Sequence, residues 1–225
     1  MIPVIRALVF DFDGLILDTE MPAYQAWADV FKEHGVELAR ERWHDYIGRE
    51  SGWFDVHGHL EEITGRAHDR DATKTRRNAR RDELMAAERI LAGVLELFRE
   101  AKAEGLKVGV ASSSSREWVC GHLERLAFIE AWDAIVCRSD AERAKPAPDL
   151  YLKAVELLGV APRETVALED SPNGIAAAKA AGLRCVAVPN PLTSTLDLSR
   201  ADLYVSSLAD LTLDELRRRL GDLAG

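Results

Sequence analysis

Five short, mostly apolar runs constrain the fold of this chain more than any other feature. They are RALVF at 6–10, LKVGVAS at 106–112, WDAIV at 132–136, TVALED at 165–170 and RCVAVP at 184–189. They are rich in β-branched residues and lack the apolar–polar alternation of a strand with one wet face. They therefore read as parallel strands covered on both sides. Helical patterns lie between them. LAGVLELFREAKAEG (91–105) closes on Gly105, and SREWVCGHLERLA (115–127) opens on Ser115 as an N-cap. PDLYLKAVELLG (148–159) and SPNGIAAAKAAG (171–182) each place a proline in the first turn and a glycine at the end. Strand and helix in alternation require right-handed crossovers, which predicts a doubly wound, Rossmann-like α/β parallel sheet.

One stretch breaks the alternation. From about Leu17 to Ala87 there is helical pattern without a buried strand, and PAYQAWADVFKEHG (22–35) carries Tyr24, Trp27, Ala28 and Phe31 on one face. The expectation is an inserted all-helical domain over 17–87, with 1–16 and 88–225 forming the α/β core. ADLYVSSLADL (201–211) reads as a last strand and loop, and TLDELRRRL (212–220) as a closing helix.

The net charge of −9 disfavours nucleic acid or an anionic membrane surface as the main partner. The N-terminus does not read as a secretory leader, because Arg6, Asp11 and Asp13 interrupt its apolar run. No apolar segment approaches the ~18 residues of a membrane helix. Cys120, Cys137 and Cys185 are odd in number and widely spaced. They read as buried free thiols in a reducing, cytoplasmic compartment. A monomer or weak homodimer is expected.

In an open α/β sheet, ligands bind beyond the carboxyl ends of the strands. Asp11, Ser112 and the pair Glu169–Asp170 fall at three such ends, and Lys145 lies on the same edge in AKPAPD. Asp11 and Asp13, two apart on an extended segment, share a side. Like charges about 4 Å apart repel by roughly 4 kcal/mol at an effective dielectric near 20. Such a cluster needs a cation or a retained proton. An all-oxygen acidic site suits Mg²⁺, and Mg²⁺ with an ammonium and a hydroxyl is equipment for holding a phosphoryl group. Asp11 then reads as a nucleophile taking that group, and Asp13 as the acid that protonates the leaving oxygen and later activates water.

The segments DFDGLILDTE, VASSSS, AKPAPDLY and LEDSPNGIAAAKAAG resemble, in order and spacing, the four motifs of the haloacid dehalogenase-like hydrolases. They are most similar to the β-phosphoglucomutase-like and sugar-phosphatase branch, which carries a helical cap where this chain has its insertion. The resemblance implies an Mg²⁺-dependent phosphatase of small phosphorylated metabolites, sugar or polyol phosphates, working through an aspartyl phosphate. It implies Asp11 as nucleophile and Asp13 as acid and base, with Ser112 and Lys145 on the phosphoryl group. Asp11, the backbone carbonyl of Asp13, Asp170 and Glu169 would hold the metal. In the insertion, Arg49 is the candidate for gripping substrate, and Thr19 for a hydrogen bond at the hinge.

Competing readings attach to several of these residues. Ser113 to Ser115 read as helix caps rather than site residues. Asn173 and Gly174 shape a helix start. The basic stretch 66–83 reads as a solvated helix face, and His57 and His59 as structural. A β-phosphoglucomutase-like isomerase is the first alternative, but Ala23 stands where that mutase presents a histidine. A phosphonate hydrolase needs a cap lysine, for which only Lys74 is near. A catalytically silent binding protein is the remaining reading.

Overall fold

The computed structural model describes residues 4–43 and 55–222. The core holds six strands: β1 (Ala7–Phe10), β2 (Lys107–Ala111), β3 (Ala134–Val136), β4 (Thr165–Glu169), β5 (Arg184–Ala187) and β6 (Leu203–Tyr204). All pair in parallel, in the order β3-β2-β1-β4-β5-β6. The order reverses beside β1, and that is where an open sheet leaves a crevice for ligand.

Among the described residues, four helices lie between β1 and α5: α1 (Glu20–Glu33), α2 (Arg40–Trp43), α3 (Val56–Thr64) and α4 (Arg70–Ala87). Five more clad the sheet: α5 (Val94–Ala103), α6 (Arg116–Arg125), α7 (Asp149–Leu158), α8 (Pro172–Ala180) and α9 (Leu213–Asp222).

The two-residue period of the strands sorts side chains by size. Leu8 and Phe10 of β1, Val108 and Val110 of β2, and Val166 and Leu168 of β4 point to one face, against α5, α6 and α9. Ala7, Val9, Ala111 and Ala167 point to the other, against α7 and α8. Small strand residues on that second face leave room for the bulk of Leu150, Tyr151 and Leu158 on α7. Every residue of β1 is buried, so the absence of alternation in the sequence reflects a strand covered twice. Each large strand side chain removed from water there contributes about 1.5–3 kcal/mol.

The inserted cap has its own cluster. Tyr24, Trp27, Val30 and Phe31 of α1 pack on Leu38, Trp43, Val56 and Leu60. The cap is nevertheless tied to the core: Leu192 of a core loop joins this cluster, and Met85 of α4 joins the core cluster. The two chain crossings also pair with each other. Leu17 bridges Ile90 antiparallel, and the Leu91 N–H donates to the Ile16 carbonyl at 2.9 Å.

The structure trims several expected elements. The third strand keeps only Ala134–Val136 of 132–136, and the last is two residues long. Just before them Asp133 and Asp202 still donate a backbone N–H to the neighbouring strand, while their carboxylates turn to lysines and backbone N–H groups. The closing helix runs on to Asp222. All three cysteines are free, but Cys120 is half-buried rather than buried, since α6 turns it toward Arg116. The basic stretch is only partly a solvated face. Arg70, Arg76 and Arg80 pair with acids, whereas Arg77 and Arg81 lie over the rings of Trp27 and Trp118.

Candidate active site

Five loops at the carboxyl edge of the sheet deliver the site, and it divides into two groups of residues. The first is the floor. Asp11 follows β1 directly, its N–H still donating to the Leu168 carbonyl at 2.9 Å. Glu169 ends β4 and Asp170 follows it. Asp11, Glu169 and Asp170 are all buried and each offers a carboxylate oxygen within 4.8 Å of the others. Lys145, in the loop before α7, sends its ammonium to Asp11 Oδ1 and Glu169 Oε1, both at 2.6 Å. The Tyr151 hydroxyl donates to the same Glu169 oxygen at 2.6 Å.

The backbone around the floor is shaped to let these groups approach. Gly14 has φ of +83°, and a Cβ there would run into the Asp170 carboxylate and the Asn190 amide. A Cβ on Gly174 would strike the Glu169 carboxylate, so the first turn of α8 closes over that side chain only with glycine. Ser171 caps α8 by accepting from the Gly174 N–H at 3.2 Å. The expectation that Gly174 shapes the helix start therefore holds, with a close approach as its reason.

Three buried acids face one ammonium, and the proton affinities of Asp11 and Asp170 rise accordingly. Burial, reinforced by Glu169 and Asp13, pushes Asp11 up to about 8 despite Lys145. Burial and the Asp11 and Glu169 charges push Asp170 well above the usual carboxylate range. Burial works against the charge of Lys145, but Asp11 and Glu169 together outweigh it and raise its affinity for the proton. The excess of negative charge and the all-oxygen donor set fit a hard divalent cation. Asp11, Glu169 and Asp170 are the side chains placed to hold one.

The second group is the rim around Asp13. Its carboxylate accepts four side-chain hydrogen bonds. Oδ1 takes Thr19 Oγ1 and Trp118 Nε1, each at 2.9 Å, and Oδ2 takes Ser112 Oγ at 3.0 Å and Ser114 Oγ at 2.7 Å. Ser112 Oγ also accepts from the Ser114 N–H at 3.0 Å. Asp13, Ser112 and Thr19 thus come together, but in this group rather than beside the other acids. Arg49 lies outside the described residues. His57 and His59 sit in cap packing, His57 edge-on to Trp27 and its Nδ1 2.9 Å from Nε2 of His68. Lys74 is exposed on α4.

Sequence reasoning missed several residues. Of the serines read as caps, only Ser115 caps α6; Ser114 turns to Asp13, and Ser113 accepts from the Lys145 N–H at 3.3 Å. Asn190 donates to Asp170 Oδ2 at 2.7 Å and accepts the N–H groups of Leu192 and Thr193, fixing the loop after β5. Glu20, at the start of α1, buries its Oε2. Burial first, then Asp13 and Asp18, push its carboxyl up to about 8. The one visible signal was its place in DTE, next to a hinge threonine.

Comparison with known proteins defines the class. The model of the haloacid dehalogenase-like hydrolases matches residues 8–188, and the chain belongs to that family. Members of this family use a divalent metal. Among individual relatives, YhcW of Bacillus subtilis is 42% identical over 210 residues, covering 93% of this chain and 95% of that protein. Hexitol phosphatase B of Escherichia coli is 34% identical, covering 94% and 96%. The crystal structure of CbbY from Rhodobacter sphaeroides in complex with phosphate superposes with a TM-score of 0.75 at 29% identity, over 95% of this chain and 99% of that one.

Proposed function

We propose that this protein is a Mg²⁺-dependent phosphatase of small phosphorylated metabolites, with sugar or polyol phosphates as its substrate class. The observation that carries the proposal is the buried trio Asp11, Glu169 and Asp170 with Lys145 driven between two of them. Such a trio needs a cation or retained protons, and a metal can take the place of the protons that Asp11 and Asp170 otherwise keep. Relatives named as phosphatases of a hexitol phosphate and of validoxylamine A 7'-phosphate support the substrate class.

In this reading Asp11 attacks the phosphorus and carries the phosphoryl group as an aspartyl phosphate while the alcohol leaves. Asp13 gives its proton to the departing oxygen, then takes one from the water that cleaves the acyl phosphate. Ser112 and Lys145 steady the transferring oxygens, and Glu169 with Tyr151 sets the direction of Lys145. Asp11, Glu169, Asp170 and the Asp13 carbonyl hold the Mg²⁺, which supplies charge neutralisation to the phosphoryl oxygens. The cap over 17–87, with Thr19 at its hinge, closes the site against water. Ala23 gives the cap no proton-carrying side chain at its position, so the isomerase reading lacks the histidine it calls for.

Phosphate release from p-nitrophenyl phosphate and from a panel of sugar and polyol phosphates tests the assignment. The wild type should require Mg²⁺, and Asp11→Asn should release essentially none. Equal rates for the two proteins would remove Asp11 as the nucleophile.

A further inference from the structure

Trp118 of α6 joins Asp13 to the cap. Its indole Nε1 donates to Asp13 Oδ1 at 2.9 Å across 105 positions of sequence, and it is the only one of the four donors that is not a hydroxyl. A hydroxyl can rotate and offer a lone pair instead; an indole N–H can only donate, along one direction set by the ring. The ring itself is held. His122, one turn along α6, packs edge-on against it at 4.3 Å between centroids, and its body rests on the core cluster.

The indole also bears a cap residue. The guanidinium of Arg81, from α4, lies over it at 4.7 Å from the centroid, and Arg81 is fixed in turn by hydrogen bonds from its Nε and an Nη to Asp82 Oδ1 at 3.0 and 2.8 Å. A cation on a ring face draws π-electron density toward itself and leaves the edge N–H more positive. The bond to Asp13 is strengthened in the same stroke. Cap, indole and Asp13 carboxylate therefore form one continuous stack of alternating charge.

We propose that Trp118 is a positioning residue for Asp13, and that Arg81, docked on its ring, makes that positioning depend on how the cap sits on the core. The proposal rests on Asp13 as the acid and base of a phosphatase. A residue that only supports the fold would depress every substrate alike. One that places the acid affects most the substrates whose leaving oxygen needs a proton.

The test compares kcat/KM, which reports transfer to Asp11, for a hexitol phosphate and for p-nitrophenyl phosphate. An alkoxide cannot leave unaided, whereas p-nitrophenolate can. Trp118→Phe keeps the ring and loses the N–H. It should lower kcat/KM for the hexitol phosphate by roughly tenfold, the usual consequence of losing one hydrogen bond to a charged group, and lower that for p-nitrophenyl phosphate much less. Arg81→Gln should give the same pattern with about a threefold loss on the alkyl ester, and Arg81→Lys should restore most of it. Thermal unfolding of each variant guards against loss of fold.

Equal losses on both esters, or no loss on either, overturn the role of Trp118. A failure of Arg81→Lys to recover activity overturns the cap coupling. Asp13→Asn serves as the reference. If it does not separate the two esters, Asp13 itself is misassigned, an outcome distinct from the failure of Trp118 alone.

Discussion

The floor and the rim of the site hold carboxylates by opposite means. On the floor, Asp11, Glu169 and Asp170 crowd together beneath the sheet edge, with the single ammonium of Lys145 reaching two of them and Asn190 donating to the third. On the rim, Asp13 stands alone, and four neutral donors surround it. The floor tolerates its crowded acids by keeping protons on Asp11 and Asp170, and its donor set fits a cation in their place. The rim is complete without any ligand. The contrast separates acids crowded enough to need a cation or protons from one held by hydrogen bonds alone, which suits the proton-carrying role proposed for Asp13.

Substitution at the two acids should break the symmetry between activity and stability. Asp11→Asn is expected to lower kcat on the order of 10³-fold or more, as loss of a nucleophile does. In metal-free protein above about pH 8, where Asp11 loses its proton, the same change relieves repulsion on the floor, so the unfolding midpoint should rise there. Asp13→Ala should cost about 10²–10⁴ in kcat on alkyl phosphates. Here stability should fall, by about 1–3 kcal/mol, because the donors lose their acceptor. Denaturant titration of both variants without metal measures the signs. Two shifts in the same direction would erase the distinction between floor and rim.

The floor was legible in the sequence and the rim only in part, for a physical reason: Asp13, Ser112 and Thr19 were expected at the site, Ser114 and Trp118 were not. Asp11, Glu169 and Asp170 stand at the ends of buried apolar runs, and a parallel sheet necessarily gathers such ends on one edge. Lys145 sits just before Pro146 and Pro148, which fix the loop on that edge. The rim depends on side-chain directions instead. Ser114 and Ser115 are neighbours in one serine run, yet one faces Asp13 and the other caps α6. No local pattern distinguishes them. Trp118 read as an ordinary apolar position of a helix, and only the packing of α6 shows its N–H aimed at a residue 105 positions away. Asn190 and Tyr151 were missed because each meets its partner through the tertiary fold.

Metal and pH sharpen the comparison further. An exposed aspartate loses its proton near 3.8, whereas Asp11 in the folded, metal-free protein keeps one to about 8. Between those values the folded state binds more protons than the unfolded state. Its stability is therefore full at the acid end and declines as pH rises through about 8. Glu20, shifted from 4.5 to about 8, adds in the same direction. Bound Mg²⁺ displaces the protons from the floor, so saturation should flatten most of this slope and add about 2.7 kcal/mol at a hundredfold excess over Kd. Unfolding midpoints across pH 5 to 8, with Mg²⁺ and with a chelator, make the measurement. A metal-free protein that grows more stable toward pH 8 would contradict the picture of a protonated floor.

The smallest effect expected is at Tyr151, and it probes how tightly the floor is arranged. Its hydroxyl shares Glu169 Oε1 with Lys145, so Tyr151→Phe leaves that oxygen with a partner and opens no cavity. The cost should be near the low end for a hydrogen bond to a charged group, about 1.5 kcal/mol. If Tyr151 serves only the core beneath α7, the loss in stability is the whole result. If the shared oxygen fixes the direction of Lys145, KM for phosphate esters rises as well, while Mg²⁺ affinity changes little because Asp11 and Asp170 keep their places. A rise in KM without a change in metal affinity would put the phosphate-holding role of Lys145 under the control of a phenol buried on the far side of the acid cluster.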